Sequence, residues 1–381
     1  MLNVSKLLAS KPGAARAEQT RPVIVWNTTR LCNLACAHCY SSSGGGSYGD
    51  ELTTDEGLGL IESLAGFEVP ALVFSGGDPL LRGDIFKLMS FCKEKSISPI
   101  LSTSGINISP DTAKKIKDSG VSYVGISIDG SETTNDLLRG HRGAFKRALI
   151  GIRSCMNLDL NVGLRFTMTR ETVSDLPFIF GLIEEEGIGR GYFSHMVYSG
   201  RAGSLAKGAL THEETRRSVG YIFKRANDFF LKGVKTEIVT GSNDSDGVYF
   251  YLTLQGSDPD KARLVHLALL SRGGNPSGTG IGGIDSTGEV HPDQFWTEHS
   301  LGNIRDTSFP DIWTNEDDPL LMALRHRKGL IKGRCSRCSH FDICNGNCRQ
   351  RAEFSTGDPF AEDPACYLTD SEIGIFGRRP A

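Results

Sequence analysis

Cysteine carries most of the candidate chemistry in this chain. Ten cysteines occur in 381 residues, and eight of them fall in two short stretches. The first, RLCNLACAHCY, places Cys32, Cys36 and Cys39 within eight positions. The second, CSRCSHFDICNGNCRQRAEFSTGDPFAEDPAC, places Cys335, Cys338, Cys344, Cys348 and Cys366 within 32. Thiols packed this closely read as metal ligands rather than as a disulfide framework. Zinc sites and iron–sulfur cubes both want four ligands. Three thiols therefore leave one place open, which His38 fills in a zinc reading and which an incoming molecule fills in a cluster reading. Cys92 and Cys155 stand apart in helical patterns and read as small buried apolar residues.

Something must hold the thiols in place. From residue 21 the chain alternates strand and helix signals. Val/Ile/Phe/Tyr-rich runs at 23–29, 71–76, 98–103, 123–129, 161–169 and 191–198 read as strands. Several of the segments between them begin with Asp, Ser or Thr and end at Gly, as capped helices do. Six β–α repeats predict an α/β fold with a parallel sheet, open or curled into a partial (β/α)6 barrel, whose site lies at the C-terminal strand ends. Beyond residue 205 the rhythm changes. HEETRRSVGYIFKRANDFFLKG predicts one long amphipathic helix, KTEIVT and VYFYLTL predict two further strands, and GIDSTGEVH predicts a hairpin turning at STGE. The expected organisation is an N-terminal extension (1–20), a barrel (21–240) and a smaller C-terminal domain (241–381), with the boundary between 240 and 275.

Hydrophobic residues make up 39%, charged residues 23%, and the formal net charge is −3. That argues against a general nucleic-acid binder, which carries a basic excess. The opening segment lacks the apolar core of a signal peptide, and no apolar run approaches the roughly 20 residues that span a bilayer. A soluble cytoplasmic protein is the expectation, with neither nucleic acid nor membrane as a partner.

Cys32-x3-Cys36-x2-Cys39 directly after the first strand resembles the radical S-adenosylmethionine (SAM) superfamily. The resemblance implies that the three thiolates hold a [4Fe–4S] cluster and that the open iron chelates the amine and carboxylate of SAM. The aromatic residue usual before the last Cys is replaced by His38. Further marks stand at later strand ends. Gly76-Gly77-Asp78-Pro79 resembles the superfamily's Gly-Gly-Glu-Pro, with Asp78 one methylene shorter but still an acceptor for the SAM amine. Thr103, in Thr103-Ser104-Gly105, ends the third strand. Ser127 and Asp129, in GISIDG, resemble ribose and carboxylate contacts, and Asp129 equally suits a capping role. Arg165, in GLRFT, is placed to reach the SAM carboxylate.

The second cysteine set, with LGNIRDTSFPDIW upstream, resembles the tail half of the SPASM domain, a C-terminal extension of some radical SAM enzymes that holds auxiliary [4Fe–4S] clusters. A full SPASM domain has two more cysteines around the hairpin. Here that region has none, so the resemblance implies one auxiliary cluster, on Cys335, Cys338, Cys344 and Cys366, with Cys348 spare.

PVIVWN, FSHMVYSGRAG, SNDSDGVY, GIDSTGEVHPDQFW and the final cysteine stretch resemble one group of these enzymes, which trims side chains of siroheme-derived tetrapyrroles. One branch removes acetates and another propionates, and the start MLNVSKLL favours the acetate branch. An iron tetrapyrrole substrate is implied, and an electron donor such as ferredoxin or flavodoxin. A substrate with several carboxylates should meet cationic groups. His195, Tyr198 and Arg201 follow the sixth strand, and His291, Asp293 and Gln294 lie in the hairpin. His195 or His291 is expected to ligate the substrate iron or donate a proton. Two rival readings remain: a SPASM enzyme acting on a ribosomal peptide, for which few residues precede the first strand, and a non-enzymatic cluster carrier.

Overall fold

The computed structural model describes residues 1–10 and 21–375. Eleven strands form one continuous sheet: β1 (Leu2–Asn3), β2 (Val23–Asn27), β3 (Ala71–Ser75), β4 (Ser98–Thr103), β5 (Tyr123–Ser127), β6 (Val162–Met168), β7 (Arg190–His195), β8 (Glu237–Gly241), β9 (Ile281–Ile284), β10 (Glu289–His291) and β11 (Gly302–Asn303). The order is β1-β8-β7-β6-β5-β4-β3-β2-β9-β10-β11. From β8 through to β9 every neighbouring pair is parallel. Strands β2 to β7 are the six expected from sequence, each followed by at least one helix that covers the sheet.

Three expectations change. The run VYFYLTL lies in a helix, Ser245–Gln255, rather than a strand. Its Phe250 ring packs 4.9 Å from Phe223 of the long helix His212–Leu231, and tertiary packing of this kind overrides the β-preference of aromatic residues. The first residues are not an appendage: Leu2 pairs with Thr240 and Asn3 with Val239, and Leu2, Val4 and Leu8 are buried in the main core. The rest of that segment, 11–20, lies outside the described residues. The C-terminal part is also joined to the barrel through the sheet, because β9 pairs with β2 in parallel register from Val23↔Ile281 to Trp26↔Ile284. KTEIVT forms a strand as expected, at Glu237–Gly241, and the hairpin turns at the expected place, between Ile284 and Glu289.

Small and large residues alternate across the barrel interior. A side chain at Gly163 would strike the Tyr123 hydroxyl on the neighbouring strand, one at Gly125 would strike Arg165 Nε, and one at Gly241 would strike the Tyr192 hydroxyl. Each glycine thus leaves room for a large polar side chain from the next strand. This interdigitation fills a closing barrel while keeping a polar lining. Cys92 and Cys155 are fully buried in the core, as expected.

Candidate active site

A cavity of about 290 Å³ opens at the C-terminal ends of the strands. Cys32, Cys36 and Cys39 lie on its wall, together with Gly76, Gly77, Thr103, Ser104, Ser127, Arg165, His195, Arg201 and Gln294. Residues from a cysteine loop, four strand ends and the hairpin therefore meet in one place.

The loop after β2 is stitched down on all sides. Cys32 N donates to Gly44 O at 2.8 Å. Gly77 N donates to Thr29 O at 2.7 Å and Asp78 N to Leu31 O at 2.9 Å. The approach is so close that a Cβ at Gly77 would sit 2.1 Å from Leu31 O. Glycine is required there, and Gly76 also takes a φ of +130° that side chains rarely adopt. Arg201 closes the other side. Its Nε donates to Cys36 O and its Nη1 to Ser43 O, both at 2.8 Å, while Nη2 is buried without a partner.

Five of the expected site residues lie off the cavity wall. Asp78 is fully buried behind the wall. Its carboxylate accepts from Thr103 Oγ1 at 2.9 and 3.0 Å, from Ser104 Oγ and from Leu80 N, so it braces the wall instead of facing the cavity. Burial pushes its pKa up. Pro79 starts the short 3₁₀ turn that leads the chain away. Asp129 is also fully buried and off the wall. It accepts from Thr167 N at 2.8 Å and pairs with Arg139 and with His38 Nε2 at 3.3 Å. Burial opposes its charge, yet Arg139 and His38 hold it well below the usual carboxylate range. Tyr198 packs edge-on against Phe354 at 5.6 Å and is off the wall. His291 is 3% exposed and is held by His299 O at 2.8 Å, with Asp285 at 3.9 Å. Its neighbours Gln294 and Phe295, not His291 itself, reach the wall.

His195 does line the cavity. Its Nε2 lies 3.0 Å from Asp246 Oδ2, and the Tyr367 hydroxyl donates to Asp246 Oδ1 at 2.8 Å. Asp246 is fully buried at the N-terminus of the 245–255 helix, where a carboxylate is favoured. Sequence reasoning missed Asp246 and Tyr367. No spacing ties them to His195, because 51 and 121 residues separate the bonded pairs.

Arg139, Arg165, Arg201, His38 and His195 reach the wall, and among the described residues no Asp or Glu lines it. Asp129, behind the wall, pairs with Arg139 and His38, and Asp246 pairs with His195.

The second cysteine set forms a separate group. Burial first, then Asp244 and the neighbouring Cys366, Cys335 and Cys338, lift the Cys344 thiol well above its ordinary value. Burial likewise pushes Cys366 to about 12, with Cys335 adding to the effect. Cys348 stands apart. Its thiol is raised to about 12 by burial, and its charged neighbours are Arg351, Asp363 and Asp293, with no cysteine among them. The cause is the turn CNGNC. Asn345, Gly346 and Asn347 all have left-handed backbone, with φ of 55°, 77° and 63°. Asn tolerates that conformation better than most residues. Three such residues in a row form the turn between Cys344 and Cys348.

Both sets suit clusters better than single ions. Among the described residues, no three Cys, His, Asp or Glu side chains are grouped to hold one metal ion. Zinc needs four donors within about 2.0–2.3 Å of a point, whereas each cluster thiolate takes its own iron and stands farther from the others. The first set has three thiols and a cavity on its open side. The second has four thiols, with Cys366 buried and Cys335, Cys338 and Cys344 half-buried.

The comparisons agree with this geometry. The profile of the radical SAM superfamily matches residues 26–183, and that of SPASM, an iron–sulfur cluster-binding domain, matches residues 278–352. Fe-coproporphyrin III synthase of Methanosarcina barkeri is 45% identical over 94% of this chain and 91% of its own length. Pre-heme d1 synthase of Dinoroseobacter shibae is 44% identical over 93% of this chain and 88% of its own. The crystal structure of Streptococcus suis SuiB bound to S-adenosylmethionine superposes with a TM-score of 0.70 at 16% identity, covering 92% of this chain and 78% of that one. A SAM-binding [4Fe–4S] cluster and SPASM-bound iron–sulfur are the resident cofactors of this architecture, and no helix among the described residues is long and apolar enough to cross a membrane. The chain is an enzyme of the radical SAM superfamily, in the group that carries a SPASM iron–sulfur cluster-binding domain.

Proposed function

We propose that the protein removes side chains from a siroheme-derived iron tetrapyrrole, taking the two acetate groups from 12,18-didecarboxysiroheme to give Fe-coproporphyrin III. The observation that carries this reading is the wall itself: three arginines and two histidines reach it, Arg165 and Arg201 without a carboxylate partner in an ion pair among the described residues, in a chain that matches an Fe-coproporphyrin III synthase over nearly its whole length. Planar guanidinium groups suit carboxylate-rich molecules because they bind bidentately.

In this reading Cys32, Cys36 and Cys39 hold the SAM-binding cluster, and Cys335, Cys338, Cys344 and Cys366 hold one auxiliary cluster. Bound cluster and SAM supply reductive cleavage of SAM and abstraction of a substrate hydrogen atom. The chain's own residues do the rest. Backbone groups of Gly76 and Gly77, with Thr103, Ser104 and Ser127, line the SAM side. Arg165 lies over Gly125 and meets the SAM carboxylate. His195, held by Asp246, faces the tetrapyrrole. The helix Arg349–Thr356 docks on the segments that follow β7 and β8: Arg351 Nη1 donates to Met196 O and Ser242 O at 3.0 Å, and Gln350 Nε2 to Tyr198 O at 2.6 Å. A reduced ferredoxin or flavodoxin is the electron donor.

Removal of propionates is the second reading, carried by the 44% identity to pre-heme d1 synthase. Anaerobically reconstituted protein, SAM, dithionite and 12,18-didecarboxysiroheme, followed by mass, decide between the two. Loss of two acetates with 5′-deoxyadenosine is the expected result. Loss of propionates moves the chain to the second branch. Deoxyadenosine with an unchanged tetrapyrrole overturns both, and the peptide reading takes their place.

A further inference from the structure

The cysteine loop docks on a helix end that carries its own buried ion pair. The helix Glu132–Arg139 ends against the loop: Ala35 N donates to Arg139 O at 3.2 Å and Ala37 N to Leu138 O at 2.9 Å. These amides satisfy carbonyls that a helix C-terminus leaves open. They also bring the partial negative end of the helix to the thiols. Gly140 follows in the left-handed conformation, and a Cβ there would sit 3.1 Å from Ala35 O.

Into this junction Arg139 turns back. It is 9% exposed. Its Nη1 lies 3.7 Å from Cys36 Sγ, a hydrogen bond to sulfur, while Nη2 pairs with Asp129. Asp129 in turn reaches His38, which lies between Cys36 and Cys39 in the chain. The three thiols are not treated alike. Cys36 has a guanidinium, and Cys39 has the Ser41 hydroxyl at 3.4 Å.

We propose that the Arg139–Asp129–His38 network sets the reduction potential of the SAM-binding cluster, with Arg139 as a positioning and tuning residue that donates to the Cys36 thiolate and Asp129 limiting its effect. Reduction adds a negative charge to a cluster already ringed by thiolates. A hydrogen bond and a buried cation at one of those thiolates favour the reduced form. Asp129 opposes this by neutralising part of the cation and by pinning it between thiolate and loop. The inference rests on the first cysteine loop holding the SAM cluster and is independent of which tetrapyrrole is bound.

The test is a dithionite titration of the reconstituted full chain followed by electron paramagnetic resonance, without tetrapyrrole. The SAM-binding cluster is identified as the signal that changes when SAM is added. Arg139→Gln is expected to lower the midpoint of that signal. Asp129→Asn is expected to raise it, and Arg139→Lys to leave it nearer the wild type than Arg139→Gln does. The SAM-insensitive signal is expected to stay in place in all three. If Arg139→Gln fails to retain iron at the loop, the opposed directions of the other two variants against wild type decide. An unmoved midpoint in the variants that hold the cluster, or movement of all variants in one direction, overturns the proposal. Absence of any SAM-responsive signal in the wild type would instead overturn the cluster assignment beneath it.

Discussion

The two cysteine sets are built on opposite principles. The first lies on a loop that the barrel holds by its backbone. Its thiols border a cavity, its neighbours are glycines and hydroxyls, and its open side faces space. The second has Cys366 buried and three half-buried thiols, in a region whose turns are fixed by side-chain hydrogen bonds. Asn347 accepts from Asp244 N at 2.7 Å, and Asn345 Nδ2 donates to Asn275 O at 3.0 Å. Arg349 donates to Pro359 O and Ala361 O at 2.9 and 2.7 Å. Metal sites that keep an open position do chemistry, and closed ones hold structure or pass electrons. In the proposed division, the first set serves substrate activation and the second supports it.

Removing one thiol from each set should show that division most strongly. Cys36→Ala is expected to abolish both 5′-deoxyadenosine formation and product. Cys344→Ala is expected to abolish product while deoxyadenosine still forms on addition of SAM and dithionite. Each variant should lose about four of roughly eight irons per chain. If Cys344→Ala also stops SAM cleavage while its first cluster is intact by spectroscopy, the second set takes part in activation and the contrast fails.

The next largest effect concerns how the second region is fastened to the first. Arg351 and Asp363 are both fully buried, with bonds of 2.8 and 2.6 Å between them, and Arg351 also reaches the ends of β7 and β8. Arg351→Met leaves Asp363 unpaired in the interior, and losing one partner of a buried pair costs about 3–5 kcal/mol. Thermal unfolding should show a large drop in midpoint. Arg351→Met with Asp363→Leu should recover much of it, since a buried pair is often replaceable by apolar residues. Equal losses in the single and double variants would mean that the backbone bonds to Met196 and Ser242, not the ion pair, fasten the second region to the first.

The same contrast explains what could be read from sequence. The first region was legible because its parts are local: three cysteines in eight residues, then Gly76-Gly77, Thr103 and Ser127 each at the end of a strand whose composition announces it. Backbone contacts made by glycine leave a mark in sequence. Carboxylate direction does not. Asp78 and Asp129 stand where motifs put them, but their side chains turn inward because Thr103, Ser104 and Arg139 meet them there. Tyr198 and His291 were placed near the site by their strands and left off the wall by packing against Phe354 and His299. The pairs His195–Asp246 and Arg351–Asp363 join elements that only the folded chain brings together. The helix 245–255 was misread because a run such as VYFYL has no period that separates a buried strand from a buried helix.

The smallest expected effect is at Cys348, four positions from Cys344. By type and spacing the two are equivalent. In the fold, Cys348 begins the helix Arg349–Thr356, and its sulfur accepts from Arg351 N at 3.4 Å. Cys348→Ala is expected to keep the iron content, deoxyadenosine yield and product of the wild type. It should lower stability by about 1 kcal/mol, since it removes one weak cap and opens a small cavity. Cys348→Ser, which restores an N-cap acceptor, should recover part of that. An iron analysis that falls in Cys348→Ala to the level of Cys344→Ala would place both cysteines on the auxiliary cluster. The left-handed run at 345–347 would then have to unwind on cluster binding, and the sharp separation between the two sets would no longer be fixed by the chain alone.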